Sequence, residues 1–179
     1  MSYAGDWPHW RGPLDLGIAE AGPTPPTQFS DQEKIVWKTT IPGRGHSSPT
    51  VIGNKVVLTT ADLDRQTQSV LCFDRRTGKP LWTTLVNRGG LPEKIHSKNT
   101  HATPTVACDG RRLFVAFHNH DSAQLTALDL SGKILWKKLG PYVPDRYKFG
   151  YAPSPLSYDD LVILAAEYEE GYLVALRKK

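Results

Sequence analysis

The chain of 179 residues contains only two cysteines, Cys72 and Cys108, and a single methionine. Two cysteines do not make the disulfide framework of a small secreted scaffold. Both lie in apolar, strand-like runs, so the sequence points to buried free thiols. No stretch approaches the roughly 18 consecutive apolar residues of a membrane helix, so no membrane span is expected. The longest clean apolar run, Leu161 to Ala166, suits a buried strand. The opening MSYAGDWPHWRG has neither the basic segment nor the apolar core of a signal peptide. On these residues alone the compartment is unknown: the protein stays in the cytoplasm, or the chain begins after a removed signal. The net charge of +4 is spread along the sequence, and basic residues do not gather on a face with interleaved aromatics. Nucleic-acid binding is therefore not expected.

What is present is repetition. The segments HSSPTVIGNKVVLTTA (46–61), HATPTVACDGRRLFVAFH (101–118) and YAPSPLSYDDLVILAAE (151–167) share one plan. Each has a small or hydroxyl residue, a proline, a short strand, a turn and a near-continuous apolar strand. The prolines Pro49, Pro104 and Pro155 are 55 and 51 residues apart. A second block follows the first two, as SVLCFDRRTGKPLWTTLV (69–86) and QLTALDLSGKILWKKLG (124–140), and YLVALRKK (172–179) begins it again. Asp74 and Asp129 open tight turns that Gly78 and Gly132 close. Trp82 and Trp136 stand at matching positions, and Trp37 in KIVWKTTI matches them. Each repeat thus supplies four short strands, A to D, with a period of roughly 50 residues, the range of propeller blades. A β-sandwich does not account for tandem copies of one strand–turn–strand pattern.

The blocks CFDRRTGKPLW (72–82) and ALDLSGKILW (127–136) resemble the repeat signature of the PQQ-like, BamB-like β-propeller family. DWPHWRGP (6–13) with VWKTTIPGRGHSSPTV (36–51) is similar to the start of its exported, planctomycete-type members. The resemblance covers nearly the whole chain. It implies an all-β propeller of four-stranded antiparallel blades, with Trp37, Trp82 and Trp136 packing between blades, and it implies a periplasmic or exported protein. By strand count, residues 1–34 form an extended segment and 35–41 a lone outer strand. Residues 46–86 and 101–140 form complete blades, and 151–179 an incomplete one. Three blades' worth of strands is fewer than the four to eight of known propellers. The chain is expected to be part of a longer propeller or to complete a ring by self-association.

The three strand-A entrances, GRGHSSPT, HSKNTHATPT and KFGYAPSP, face one end of the channel in such a fold. They carry Arg44, His46, Ser47, His96, Lys98, Asn99, His101, Lys148 and Tyr151, which could together line a ligand site. The simpler reading is that His46, His101 and Tyr151, equivalent by repeat, pack at the inner strands. His96 and His101 are spaced H-x4-H with no cysteine or acidic ligand near, which argues weakly for zinc. HNHD (118–121) is expected at a B–C turn, where Asn and Asp are common without any ligand. EYEEG (167–171) is expected in a solvated hairpin. GHSSP is not the G-x-S-x-G elbow of a serine hydrolase. GRGHSS fails the dinucleotide pattern G-x-G-x-x-G, and no helix follows to hold a phosphate.

The family's enzymes are implied to hold pyrroloquinoline quinone with calcium, using a stacking tryptophan, a vicinal Cys-Cys ring and acidic ligands. This sequence has no Cys-Cys pair, so no cofactor is supported. Non-catalytic BamB-like members are the better analogue, which makes the leading expectation a scaffold that binds a protein partner or a small ligand. The alternative is a fragment of a quinone-dependent alcohol or sugar dehydrogenase.

Overall fold

A computed structural model describes residues 5–22, 24–30, 32–141, 149–166 and 172–179. Among these the regular elements are strands, arranged in three antiparallel sheets. The first sheet is β1 (Thr50–Ile52), β2 (Lys55–Asp62), β3 (Thr67–Asp74) and β4 (Pro80–Arg88), in chain order. The second is β5 (Ala107–Cys108), β6 (Arg112–Asn119), β7 (Ser122–Asp129) and β8 (Ile134–Pro141), again in order. The third holds β9 (Leu156–Tyr158), β10 (Leu161–Ala166) and β11 (Tyr172–Arg177). The chain is all-β and propeller-like, with one blade per repeat. The inner strands touch in sequence, β1 to β5 and β5 to β9.

Strand β6 shows why the B strands are apolar throughout. Leu113, Val115 and Phe117 pack toward the first blade with Val57, Val70 and Cys72. Phe114 and Ala116 pack toward the third with Tyr151, Val162 and Leu164. A middle blade has no solvent face, so the period-2 alternation of a half-exposed strand disappears. Each buried Leu, Val or Phe adds about 1.5–3 kcal/mol of transfer free energy, so these two seams dominate cohesion.

The hydroxyl-rich strand-A openings also have a structural role. Short inner strands leave backbone groups that no ladder reaches. Hydroxyls of the neighbouring blade meet them: Ser48 N donates to Thr105 Oγ1 at 3.0 Å and Thr105 N to Ser154 Oγ at 2.9 Å. The fully buried Thr50 Oγ1 donates to the Val106 carbonyl at 2.6 Å.

Each tryptophan docks the segment that carries it on the backbone just after strand C of the following blade. Trp37 Nε1 donates to the Arg75 carbonyl at 2.8 Å, Trp82 Nε1 to Leu130 at 3.3 Å and Trp136 Nε1 to Lys178 at 3.2 Å. All three acceptors occupy the same repeat position, one residue after Asp74, Asp129 and Arg177. The turns are held by their aspartates. Asp74 Oδ1 accepts from Arg76 N, Thr77 N and Thr77 Oγ1, and Asp129 Oδ1 from Ser131 N, Ser131 Oγ and Lys133 N. The Thr77 and Ser131 hydroxyl bonds are the main reason both carboxyls lie below their ordinary range.

Two expectations need refinement. Residues 35–41 form no ladder with any strand among the described residues, and Trp37 holds the segment to the first blade. HNHD lies at the B–C turn as expected, but the turn itself is His120 and Asp121; strand β6 continues through Asn119, so His118 and Asn119 are buried at a blade seam. Proximity to turn-forming residues gave no sign of this, because the seam is built by another blade. EYEEG lies outside the described residues.

The N-terminal segment is an inner strap. Trp7 pairs with Val51 through backbone bonds of 2.8 and 2.9 Å, Pro8 O accepts from Cys108 N at 2.7 Å, and Asp6 Oδ1 accepts from Gly53 N at 2.8 Å. It thereby ties the inner strands of two blades.

Candidate functional site

A pocket of about 430 Å³ opens between the first two blades, where the loop before β5 crosses the end of β2. Ala61 and Leu63 form one wall; Glu93 to Ser97 and Asn99 to His101 form the other, and Arg44 reaches across. Arg44 is placed by backbone pairing with Ala61, at 2.8 and 3.0 Å, and its Nη2 donates to the Ser97 carbonyl at 3.3 Å. Gly43, with φ of +73°, lets this segment approach, since a side chain there would overlap the Ala61 carbonyl.

The loop carrying the histidines is internally braced. Asn99 Nδ2 donates to the Phe149 carbonyl at 2.6 Å, and its Oδ1 accepts from Thr100 N at 2.7 Å and from Thr103 Oγ1. Asn99 therefore shapes the wall and offers little to a ligand. The His96 ring tilts against Phe149 at 5.6 Å between centroids, and its Nδ1 accepts from Lys98 N at 3.2 Å.

His101 is half-buried, and its ring has no hydrogen-bond partner among the described residues. Burial lowers its pKa from the usual 6.5, so the ring is neutral near pH 7. Below pH 6.5 an unfolded chain would take up a proton that the folded chain resists. This contribution to stability is therefore complete above pH 6.5 and is lost as pH falls toward the folded value. An NMR titration of the His101 ring should give a midpoint below 6.5; a midpoint at or above it would mean that the ring is solvated.

The other sequence candidates separate. His46 is exposed and binds only through its backbone, N to the Ala102 carbonyl at 3.0 Å. Ser47 lies in an adjoining groove with Leu58 and Thr59, and its Oγ accepts from Thr59 N at 3.0 Å. Lys98 is exposed and does not line the pocket. Tyr151 is buried in the seam between the second and third blades and donates from its hydroxyl to the Ala165 carbonyl at 2.8 Å. Lys148 lies outside the described residues. The repeat-equivalent His46, His101 and Tyr151 thus occupy an exposed, a half-buried and a buried place.

Gln68 was not legible as part of this site. It is fully buried on β3, and its Nε2 donates to the carbonyls of His101 at 2.8 Å and His118 at 3.0 Å. Its Oε1 accepts from Asn87 Nδ2 at 2.9 Å and Asn119 Nδ2 at 3.3 Å. All four of its hydrogen-bonding positions are used. One amide thereby fixes the backbone of His101 relative to the first blade. The only sequence signal was the polar opening Thr67-Gln68-Ser69 of a strand that then turns apolar.

The donors of a quinone–calcium site are not assembled here. Among the described residues no three His, Cys, Asp or Glu side chains could jointly hold a metal. Cys72 and Cys108 are free and sit on different blades, and burial pushes both thiols up to about 11. They stay protonated at neutral pH and are poor ligands or nucleophiles. The three repeat tryptophans are committed to blade turns. The described residues do not fit this cofactor.

Stacked antiparallel sheets, two of four strands and one of three among the described residues, docked through a repeated tryptophan, define a β-propeller-like protein. The family model described as outer membrane protein assembly factor BamB matches residues 29–137 and 66–177 in two overlapping placements. The chain belongs to this PQQ-like, BamB-like repeat family. Its fold is similar to that of BamB from Moraxella catarrhalis, with TM-score 0.53 and 15% identity over 78% of this chain and 39% of that one. It is also similar to a europium-containing methanol dehydrogenase, with TM-score 0.52 and 19% identity over 75% of this chain and 23% of that one. The chain therefore spans well under half the length of either structure. No protein of curated function matches it in sequence.

Proposed function

We propose that this chain is a non-catalytic BamB-like propeller module that binds a small anionic ligand at the strand-A entrance of its second blade. One observation carries the reading: the pocket gathers Arg44, Lys94, His96 and His101 with a single acid, Glu93, facing an apolar wall of Ala61 and Leu63. A guanidinium beside the neutral His101 imidazole favours a carboxylate or phosphate ester, and the apolar wall favours an organic one. Family resemblance supports a periplasmic or exported setting. Among the described residues the pocket holds no nucleophile paired with an oriented base, which supports binding over turnover.

The test is an NMR titration of the isotope-labelled chain with small carboxylates and sugar phosphates. Amide shifts at Arg44, Ser97 and His101 are expected. Arg44→Ala should weaken binding by roughly tenfold or more, the range of a lost charge-assisted hydrogen bond. If no compound moves these amides, or if the variant binds as tightly as the parent, the pocket is not the site.

The likeness to a methanol dehydrogenase motivates one competing reading, a piece of a quinone-dependent enzyme. Mixing the chain with pyrroloquinoline quinone and calcium, then assaying alcohol oxidation with a dye acceptor, should give neither bound quinone absorbance nor turnover. Either signal would replace the scaffold reading.

A further inference from the structure

The two imidazoles of the pocket differ in what a proton would do to them. His96 Nδ1 accepts from Lys98 N at 3.2 Å, and its ring rests against Phe149. A proton on that nitrogen would turn the acceptor into a donor and break the contact. His101 is held by its backbone, where Gln68 Nε2 donates to its carbonyl at 2.8 Å. Its ring has no hydrogen-bond partner among the described residues, so protonation there breaks no bond of the fold.

The surroundings oppose that proton while no anion is present. Arg44, before β1, and Lys94, on the loop before β5, line the cavity with one acid, Glu93. A charged His101 would add to this excess of cations. The end of β2 presents Ala61 and Leu63, and its Asp62 is engaged by Arg65, whose N donates to Oδ1 at 3.0 Å. Strand β3 offers only the neutral amide of Gln68. Strand β6 brings the buried His118, whose carbonyl takes the same amide at 3.0 Å. Half-burial adds a desolvation cost that lowers the His101 pKa further. An anion reverses the balance, because it cancels the excess charge and supplies acceptor oxygens to a protonated imidazole.

We propose, on the anion-site reading of this pocket, that it takes its anion together with a proton: His101 accepts one proton from solvent as the anion binds and returns it as the anion leaves. The coupling is reciprocal, so the anion raises the His101 midpoint by the factor through which the proton tightens the anion. One charge-assisted hydrogen bond gained in this way is worth roughly tenfold or more in affinity. Affinity is therefore lowest and flat above the midpoint of the complex. It rises as pH falls and levels off below the midpoint of the chain alone. Arg44 supplies the permanent charge of the site, and His101 sets the pH at which the anion is held.

The test uses the whole chain and benzenesulfonate, which stays ionised throughout, so any pH dependence belongs to the protein. Its ring also suits the wall of Ala61 and Leu63. By NMR, the His101 midpoint should lie below 6.5 without the probe. At saturation it should lie about one pH unit or more higher, the equivalent of a tenfold coupling. By calorimetry, affinity should be roughly tenfold or more greater near pH 5 than near pH 8, with proton uptake on binding. His101→Gln should keep binding that depends on Arg44 and lose most of this gain, whereas His96→Gln should keep the gain. Circular dichroism checks that both variants fold, and the midpoints of the parent chain need neither. Binding that requires Arg44 but leaves the His101 midpoint unmoved overturns the coupling and leaves the anion site standing. A pH gain that survives His101→Gln places the proton elsewhere and also overturns it. No binding at either pH removes both the coupling and the site.

Discussion

Replacing Gln68 by leucine should destabilise the protein by about 2–4 kcal/mol, although the substitution is apolar and falls in an apolar seam. Leucine fills similar space but leaves the carbonyls of His101 and His118 and the amide of Asn87 without their Gln68 partner. A buried polar group stranded in this way costs about 1–3 kcal/mol, and several are stranded together. Asn119 suffers less, because its Nδ2 also donates to the Gly89 carbonyl at 2.8 Å. For a chain of this length the loss corresponds to roughly 4–16 °C in Tm. Gln68→Glu keeps the shape but turns an acceptor toward both carbonyls, so it should cost at least as much. Urea denaturation of the three proteins checks this. Variants within about 0.5 kcal/mol of the parent would mean that the network is dispensable. Because the amide fixes the His101 backbone, Gln68→Leu should also perturb the His101 amide resonance in the folded state.

The second large effect is expected at Gly132. Its φ is +89°, and a Cβ there would lie 2.7 Å from the Trp82 ring and 2.8 Å from Thr84 Oγ1. Gly110 provides a matched control, with φ of +87° and nothing within 4 Å of a Cβ. Gly110→Ala should cost about 1–2 kcal/mol, the penalty of a left-handed conformation alone. Gly132→Ala should cost that amount plus overpacking of about 1–3 kcal/mol against a ring pinned by its bond to Leu130. The excess should shrink in a Trp82→Ala background, where the obstructing ring is gone. Equal losses at the two glycines would show that Trp82 does not dock on this turn.

This comparison also separates two roles that look alike in sequence. Asp129 and Gly132 read as turn chemistry, which explains the fold of the turn but not the need for a bare Cα. The tryptophan of the preceding repeat supplies that need, and Gly78 under Trp37 repeats the arrangement, with a Cβ 2.5 Å from the ring. The glycine and the tryptophan in the signature are thus a contact pair across two blades. They belong to different repeats, so a single copy of the motif cannot show it.

The sequence alone determined the class of fold. Tandem copies of one strand pattern need neighbours to bury them, and continuous apolar B strands such as β6 require a blade on each side. The strands, the tight turns at Asp74 and Asp129, and the buried free cysteines follow from that local pattern. The tertiary structure alone decided which polar residues meet. His46, His101 and Tyr151 are equivalent by repeat, yet only His101 lines the pocket. Its neighbours Arg44 and Ala61 come from the preceding repeat, and Gln68 holds it from another strand of that repeat. Blade stacking sets those distances, and stacking joins residues tens of positions apart through contacts that leave no periodic trace in the chain.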